Sequence, residues 1–420
     1  MKKTYIHINI RNSKSLISWL LMSLLLLCLT ACSSSGDDEM EEQNPETANG
    51  SNVPGNAPTK LYIYVYAPEA PEVTRAEYGG QENVNAVGNE AAVYTMQVWV
   101  YTHTSHKLIG YYASTGTPGL TTAEPYELLQ LTIDDEYAET EEASRENVDV
   151  YVLGNVTPES CNVTVDGNST QTEVENAIMG KTTLDPFGVT SPVRSVPQDV
   201  GLPMSGVLRD QPVTGTAPVL RLDDAGEIAT VTLRRIVSKL RFAFARQTDS
   251  EMLTINSIKL SSEMIPVSEY LFMDAEYPYD RKTCHINTAD GYDTSTPELL
   301  DEPVTDVPAI DLPVYYAWGN EELPPYVYES RIEEAVRTNK LVQRVFYLRE
   351  SDKLIQGTIE YQIGEGEEQT ATFRMVDVGG FSRNHVWTVY AYQAQARLHV
   401  VVADVTPWET KEVDHEFYNW

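Results

Sequence analysis

The chain has 420 residues, of which 62 are acidic and 30 basic, and its formal net charge is −32 at pH 7. A hydrophobic content of 42% and a charged content of 22% are typical of globular domains, and the length suffices for two to three of them. The negative charge argues against nucleic acid and anionic membrane surfaces as partners, because both are polyanions.

The N-terminus has the pattern of an export signal. Positions 1–32 contain four cations and no acidic residue, and an apolar stretch runs from Leu16 to Leu29. This stretch is shorter than the about 20 residues that span a bilayer. It ends in Leu29-Thr30-Ala31-Cys32, which resembles the lipobox of bacterial lipoproteins. The resemblance implies removal of residues 1–31 and lipidation of Cys32; an ordinary signal peptide followed by a chance cysteine is the alternative.

Residues 32–60 are predicted to form an acidic, flexible linker. From Ser33 to Lys60 there are six acidic residues, three prolines and a single valine among many Asn, Ser and Gly. Such a segment cannot bury enough apolar area to fold. Its first residues, Ser33 to Glu39, resemble the tether with which Bacteroidetes direct lipoproteins to the outer cell surface. We therefore expect a protein that is lipid-anchored in the outer membrane and exposed at the cell surface.

From residue 61 onwards the sequence predicts short β-strands, because apolar and polar residues alternate between turns rich in Gly, Pro, Asn and Asp. The predicted strands are 61–66, 95–101, 148–152, 230–233, 239–245, 253–260, 354–363, 370–376, 386–396 and 398–405. Gly364-Glu365-Gly366 predicts a hairpin. Two helices are predicted, one over 172–179 that opens with the capping-box pattern Thr172-Glu173-Val174-Glu175, and one over 329–341. The fold class is therefore mainly β, with antiparallel sandwiches and one or two short helices.

A domain boundary is predicted at the turn Asp223-Asp224-Ala225-Gly226, which follows a Pro/Gly-rich run. It gives an N-terminal β-sandwich over 61–225 and a C-terminal β-sandwich over 226–420, each long enough for one domain. Residues 290–313 form the longest irregular stretch, with seven acidic residues, four prolines and no base. Loops of this length are usually functional or disordered.

Motifs for catalysis or metal binding are weak. Cys161 and Cys284 remain after signal removal and lipidation, and their spacing leaves both a disulfide and two thiols open. His103-Thr104-Ser105-His106 lies at a strand end without the glutamate of a zinc motif, so it predicts a loop. The sequence has no G-x-S-x-G, P-loop or G-x-G-x-x-G motif. We expect no enzyme, no cofactor and no metal.

Several short motifs follow one another along nearly the whole chain. They are Val73-Thr74-Arg75-Ala76 after the lipobox and first strand; Asn89-Glu90-Ala91-Ala92-Val93 before the second; Leu202-Pro203-Met204-Ser205-Gly206 before Leu233 to Phe242; and Arg383 to Val389 before Val405 to Glu409. In this order they resemble the motifs of the Bacteroidales fimbrillins, the subunits of type V pili, and of their surface-lipoprotein relatives.

The resemblance implies two tandem transthyretin-like Greek-key β-sandwiches and cleavage by an Arg-specific surface protease between Arg75 and Ala76. Cleavage would make 61–75 a removable segment and leave an unpaired sheet edge over an apolar groove. A strand of a neighbouring subunit could fill this groove and give a polymer. The alternating run from Lys411 to Trp420 is the candidate donor strand, and an ordinary terminal edge strand is its alternative.

These patterns predict a non-enzymatic structural subunit of a fimbria, or pilus, that contributes to cell adhesion. Its partners would be other fimbrial subunits, an unidentified host or bacterial surface ligand and the lipid anchor. Stalk, tip and anchor roles stay open. The alternative is a monomeric surface glycan-binding lipoprotein whose Trp and Tyr side chains stack on sugars. A third reading is a glycan-degrading enzyme with an unrecognised carboxylate pair.

Overall fold

The computed structural model describes residues 58–67, 90, 92–120, 126–156, 165–179, 196, 200–273, 284–310, 342–375, 380–394 and 396–407. In the first half, the alternating segments form the strands β1 (Lys60–Tyr66), β2 (Val93–Thr102), β3 (Leu108–Leu120), β4 (Tyr126–Thr132), β5 (Val148–Gly154), β6 (Ile178–Met179), β7 (Met204–Gln211), β8 (Val213–Thr216), β9 (Val219–Asp224), β10 (Glu227–Ile228), β11 (Thr230–Thr232) and β12 (Arg234–Arg235). In the second half they form β13 (Ser238–Gln247), β14 (Leu253–Leu260), β15 (Glu269–Tyr270), β16 (Ala309–Ile310), β17 (Val342–Leu348), β18 (Gln356–Ile363), β19 (Gln369–Arg374), β20 (His385–Ala394) and β21 (Arg397–Pro407).

Two short α-helices, α1 (Asp135–Ala138) and α2 (Gln171–Glu175), and a 3-10 turn at Glu142–Ser144 interrupt the described strands. The predicted helix over 172–179 is present only in its first part, as α2, because the helix ends at Glu175 and Ile178–Met179 form β6. Thr170 rather than Thr172 caps it. The Thr170 hydroxyl accepts a hydrogen bond from the Glu173 amide, and the Glu173 carboxylate accepts one from the Thr170 amide. Thr170 and Thr172 each precede a glutamate by three residues, so the sequence alone is compatible with either threonine as the capping residue. The predicted helix over 329–341 lies outside the described residues.

In the first half, two sheets enclose one apolar core. One sheet has the order β10–β9–β1–β11, with β4 also on β1 and β8 on β9; the other has the order β12–β7–β5–β2–β3. Leu61 and Ile63 of the first sheet belong to the same buried cluster as Val98 and Val150 of the second. Shared burial of this kind is what two sheets packed face to face produce.

The second half repeats this plan. One sheet has the order β16–β13–β20–β21, with β17 on β13, and the other has the order β14–β18–β19. Phe242 and Trp387 of the first belong to one buried cluster with Ile258 and Ile359 of the second. The predicted hairpin is confirmed, because β18 and β19 pair antiparallel around the turn that contains Gly364.

Most strand pairs are antiparallel, as predicted, but four described pairs are parallel: β1 with β9, β1 with β11, β13 with β16 and β13 with β20. All four involve the first long strand of a half. Each of these two strands also has one antiparallel partner, β4 for β1 and β17 for β13. The sheets are therefore mixed around β1 and β13, which occupy equivalent positions.

A third buried cluster joins the two halves. The cluster contains Trp99 and Tyr151 of the first half and Phe272 and Tyr347 of the second. A two-stranded ribbon, β6 with β15, connects the halves through backbone hydrogen bonds. All of the described residues belong to one compact unit, Ala57–Trp420.

The turn at Asp223–Gly226 joins β9 and β10, with positive φ at Ala225 and Gly226, and is the predicted β-turn. The predicted domain boundary coincides with this turn, yet β11 beyond it lies in the sheet of β1. The core cluster of the first half extends to Leu233, and that of the second begins at Leu240. The division into two domains stays a prediction.

The acidic stretch from residue 290 onwards is irregular but packed as far as it is described, to residue 310. Leu299, Val304 and Val307 are buried in the core of the second half, whereas Asp301 and Glu302 are exposed. The apolar residues between the acids therefore act as anchors for a long loop. None of the helices in the described part of the chain is long and apolar enough to span a membrane.

Candidate functional site

Strand β1 lies in the middle of its sheet. It pairs antiparallel with β4 along its whole length, from Lys60 opposite Thr132 to Tyr66 opposite Tyr126. On its other side, its first residues pair parallel with β9 and its last residues with β11. The expectation that loss of this strand would leave one unpaired sheet edge is therefore wrong: loss of β1 would open a slot between two edges.

The alternation of the sequence fixes which side of β1 is buried. Leu61, Ile63 and Val65 are 0% exposed, whereas Tyr62 and the other tyrosines of the strand face outward and are half-buried. Burial of each aliphatic side chain stabilises the fold by about 1.5–3 kcal/mol. β-Branched and aromatic residues also favour the extended backbone. These three side chains of one short strand are thus part of the buried core of the first half.

Backbone hydrogen bonds hold both ends of β1. The Lys60 amide donates to the carbonyl of Pro218 at 3.0 Å, and the Leu233 amide donates to the carbonyl of Tyr66 at 2.7 Å. Ala67, directly after the strand, is 1% exposed. The segment is therefore held along its length by three strands from two distant parts of the sequence.

On β4, the inward-facing side chains that lie opposite β1 are apolar with one exception. Leu131 and Leu129 of β4 lie opposite Leu61 and Ile63 and are buried. Glu127 lies opposite Val65, and directly opposite residues project from the same face of a sheet. Its half-buried side chain therefore points toward the core, and burial raises the pKa of its carboxyl group. No described cation lowers this pKa.

Most of the sequence-predicted site residues lie outside the described residues. These are Cys32, Arg75, Ala76, Cys161 and the candidate donor run Lys411 to Trp420. Cys284 is half-buried, its thiol donates to the carbonyl of Ser351 at 3.1 Å, and burial raises its pKa. A pairing of Cys161 with Cys284 stays a prediction.

The histidine motif forms a turn between β2 and β3, as predicted. His103 Nδ1 lies 2.8 Å from Oδ1 of the buried Asp149, and the hydrogen bond to this carboxylate raises the pKa of His103. His106 Nδ1 lies 2.7 Å from Oε1 of Gln171 at the start of α2. Within the described ranges, no group of three or more potential ligands is arranged to hold a metal ion.

Two clusters of buried charges at the junction of the halves were not predicted. In the first, Lys239 Nζ donates to Glu90 Oε1 at 2.7 Å, and the Tyr347 hydroxyl also donates to this carboxylate. Burial raises the pKa of Glu90, but the cations of Lys239 and Arg235 outweigh it and hold the pKa below its usual value. Glu90 lies three residues before the first residue of β2, so this ion pair links the segment that leads into β2 to β13.

In the second cluster, Arg383 forms an ion pair with Glu350, and both side chains are at most 2% exposed. The Arg383 guanidinium also donates to the carbonyl of Tyr270 at 2.7 Å and to that of Leu271 at 3.2 Å. Arg383 therefore attaches the β15 segment to the start of β20. The neighbouring Glu269 is completely buried, and this burial raises its pKa to about 8.

Replacement of Glu269 by Gln is expected to remove a pH dependence of stability. The folded chain keeps the Glu269 proton up to about pH 8, whereas the unfolded chain loses it near its usual pKa of 4.5. The free energy of unfolding of the natural chain should therefore fall as the pH rises through this window. Glu269→Gln should be more stable by about 1–3 kcal/mol at pH 8.5 and equal at pH 4.

Urea unfolding at pH 4, 6 and 8.5 measures this difference. Glu365→Gln, at an exposed turn position, is the matched control and should follow the natural chain at each pH. A Glu269→Gln chain that loses stability with rising pH as steeply as the natural chain would contradict the assignment.

No protein-family model matches the chain, and no curated protein matches it. Among solved structures, it is similar to the tip fimbrial protein Mfa3 from Porphyromonas gingivalis with a C-terminal truncation, with a TM-score of 0.47 and 11% identity over 84% of this chain and 100% of that chain. It is also similar to a fimbrial assembly protein from Parabacteroides distasonis ATCC 8503, with a TM-score of 0.42 and 12% identity over 83% of this chain and 98% of that chain. Both of these solved structures are of fimbrial proteins.

Proposed function

We propose that the chain is a non-enzymatic structural subunit of a fimbria at the cell surface. It is exported as an outer-membrane lipoprotein through Cys32, cleaved between Arg75 and Ala76, and polymerised when a strand of a neighbouring subunit takes the place of β1. The observation that carries the proposal is the position of β1, a seven-residue segment near the start of the fold that completes a sheet between strands distant in sequence.

A single backbone cut would make β1 a separate peptide. The strand ends at Tyr66 and the next described strand begins at Val93, so a cut after Arg75 leaves β1 attached only by non-covalent contacts. The slot that it would vacate exposes backbone groups on two strands and apolar side chains between them. Such a surface is unfavourable in water, and a strand of another chain would restore both kinds of contact.

The sequence favours cleavage at this position by an Arg-specific protease. Arg75 is the only arginine between Arg11 and Arg145. Arg145 itself donates to the carbonyls of Val213 and Thr140 within the folded part. A protease that cuts after arginine therefore separates β1 from β2 at one peptide bond.

Treatment of the full chain with an Arg-specific protease tests the proposal. We expect oligomers that resist SDS at room temperature, because each inserted strand would be held by two edges and a buried apolar face. Arg75→Ala should stay uncut between β1 and β2 and stay monomeric. The two chains are compared by SDS gel without boiling and by light scattering.

Two outcomes would contradict strand exchange. One is a natural chain that is cut after Arg75 but stays monomeric at every concentration. The other is an Arg75→Ala chain that polymerises as fast as the natural chain. Mass spectrometry of the Cys32→Ser chain, which should lack the lipid of the natural chain, tests the anchor separately.

A second candidate function is glycan binding by the uncut monomer. The outer face of β1 supports it, because Tyr62 and Tyr64 are partly exposed beside Leu128, which is 38% exposed, and Val219, which is 54% exposed. Aromatic side chains on an open sheet face can stack on sugar rings. Micromolar binding of the uncut chain on a glycan array, lost in Tyr62→Ala, would favour this function.

A further inference from the structure

The slot of β1 carries a feature that selects what can enter it. Its inward-facing positions are those of Leu61, Ile63, Val65 and Ala67, all of which are buried. The wall beside them is apolar except for Glu127, opposite Val65. A strand that replaces β1 must therefore bring apolar side chains to most of these positions and a suitable partner for a carboxylate to one of them.

The candidate donor run offers one such partner. On one face of Lys411 to Trp420 lie Val413, His415, Phe417 and Asn419. His415 is the residue of this face that a carboxylate would attract most, because an imidazole can donate a hydrogen bond and carry a positive charge. Whether it meets Glu127 depends on the direction in which the strand enters.

Entry in the direction of β1 gives a poor match. If Val413 takes the position of Leu61, His415 falls at Ile63, which is 0% exposed and lies opposite Leu129. The aromatic ring of Phe417 then faces the carboxylate of Glu127. A shift by two residues brings His415 to Glu127, but it places the charged Lys411 at the fully buried position of Leu61. The first arrangement leaves the Glu127 carboxylate without a polar partner, and the second buries the charged ammonium group of Lys411 at an apolar position.

We propose that the donor strand of a second copy enters in the direction opposite to β1, with His415 beside Glu127. Phe417 then fills the position of Ile63, and Val413 that of Ala67. Asn419 reaches the position of Leu61, where burial of its neutral amide costs less than burial of the charged Lys411 ammonium group would. Glu127 is thus the residue that selects the direction and register of the donor. This inference rests on the proposed strand exchange and adds the identity of the recognised side chains.

A disulfide cross-link distinguishes the two directions. Gln130 is exposed and lies opposite Tyr62, on the outer face, where a cysteine disturbs no core contact. In the reversed direction Tyr418 of the donor lies at the position of Tyr62, whereas in the direction of β1 with Val413 at Leu61 this residue is Asp414. The full chain carries Cys161→Ser and Cys284→Ser, with Gln130→Cys combined with either Tyr418→Cys or Asp414→Cys. It is cut with the Arg-specific protease and oxidised.

We expect a ladder of covalent oligomers with Gln130→Cys and Tyr418→Cys, because opposite positions on paired strands have the spacing that a disulfide needs. A ladder with Gln130→Cys and Asp414→Cys instead would overturn the proposed direction. A cut natural chain that forms no polymer would overturn the proposed function, and this inference with it. A polymer that is cross-linked through Gln130→Cys and Asp414→Cys overturns only this inference and leaves the proposed function unaffected.

Charge exchange tests the role of Glu127. Glu127→Lys and His415→Glu should each slow polymer formation about tenfold, because each places like or unmatched charges side by side. The double variant should return to within about threefold of the natural rate. Glu127→Gln keeps the shape of the side chain without its charge and should slow assembly less than Glu127→Lys.

Thermal unfolding of the uncut chains shows whether each variant folds before cleavage, and only folded variants are compared. If Glu127→Lys, or Glu127→Gln where Glu127→Lys does not fold, polymerises at the natural rate, Glu127 does not select the donor. If the double variant is as slow as the slower single variant, the two side chains do not meet.

Discussion

Replacement of Arg383 by Met is expected to destabilise the chain by about 3–5 kcal/mol. Arg383 is the ion-pair partner of Glu350, which is 0% exposed, and it also donates to the carbonyls of Tyr270 and Leu271. Methionine fills much of the same volume but leaves the carboxylate and both carbonyls without this donor. The cost of the buried, unpaired groups exceeds the gain from an apolar side chain.

Urea unfolding followed by tryptophan fluorescence measures the change. Arg374→Met is the matched control, because Arg374 is an exposed arginine on β19 and its loss should change stability by less than about 0.5 kcal/mol. If Arg383→Met and Arg374→Met cost the same, the ion pair with Glu350 does not hold β15 to β20. A double variant with Glu350→Met should recover part of the loss, since it removes the unpaired charge.

Replacement of Ile63 by Ala should cost about 2–5 kcal/mol in the uncut chain, because Ile63 is 0% exposed and a cavity would remain at the centre of the slot. Tyr64→Ala, on the outer face of the same strand, is the control and should cost less, because Tyr64 is only half-buried. The comparison isolates core burial from strand propensity, since both residues favour strands.

The same pair of variants has a second readout after cleavage at Arg75. The peptide that contains β1 should leave the Ile63→Ala chain faster than the Tyr64→Ala chain, as followed by gel filtration and mass spectrometry. Faster release from the Tyr64→Ala chain would mean that the outer face, not the core, retains β1. Equal unfolding free energies for the two variants would lead to the same conclusion.

Strand positions were predictable from the sequence where one face is apolar and the other polar. β14 spans Leu253–Leu260, the predicted range, and Leu61, Ile63 and Val65 point inward as the alternation of β1 indicates. Alternation reports which face of a strand is buried but not which strands lie beside it. For β1, two of the neighbours come from Val219–Thr232, far along the chain. The central position of β1 therefore could not be predicted.

The polar residues of the site were even harder to predict from the sequence than the position of β1. Glu127 occurs in the run Tyr126–Thr132, where two adjacent leucines obscure the alternation, and β4 was not predicted. Arg383 and Glu350 are charged residues, which as a rule lie on the surface, and nothing in their local sequence marks them as a buried pair. Their pairing depends on the return of the chain across 33 residues, and only the tertiary fold reveals it.

The third apolar cluster has a mechanical consequence. It packs Trp99 and Tyr151 of the first half against Phe272 and Tyr347 of the second, with the Glu90–Lys239 pair beside it. If subunits assemble by the strand exchange proposed above, tension in the fibre would enter a subunit at the slot of β1 and leave through its C-terminal segment, so it would cross this contact. Close-packed side chains resist bending and stretching. Each subunit would then bear the load as one rigid body, and its two halves would not move independently of each other.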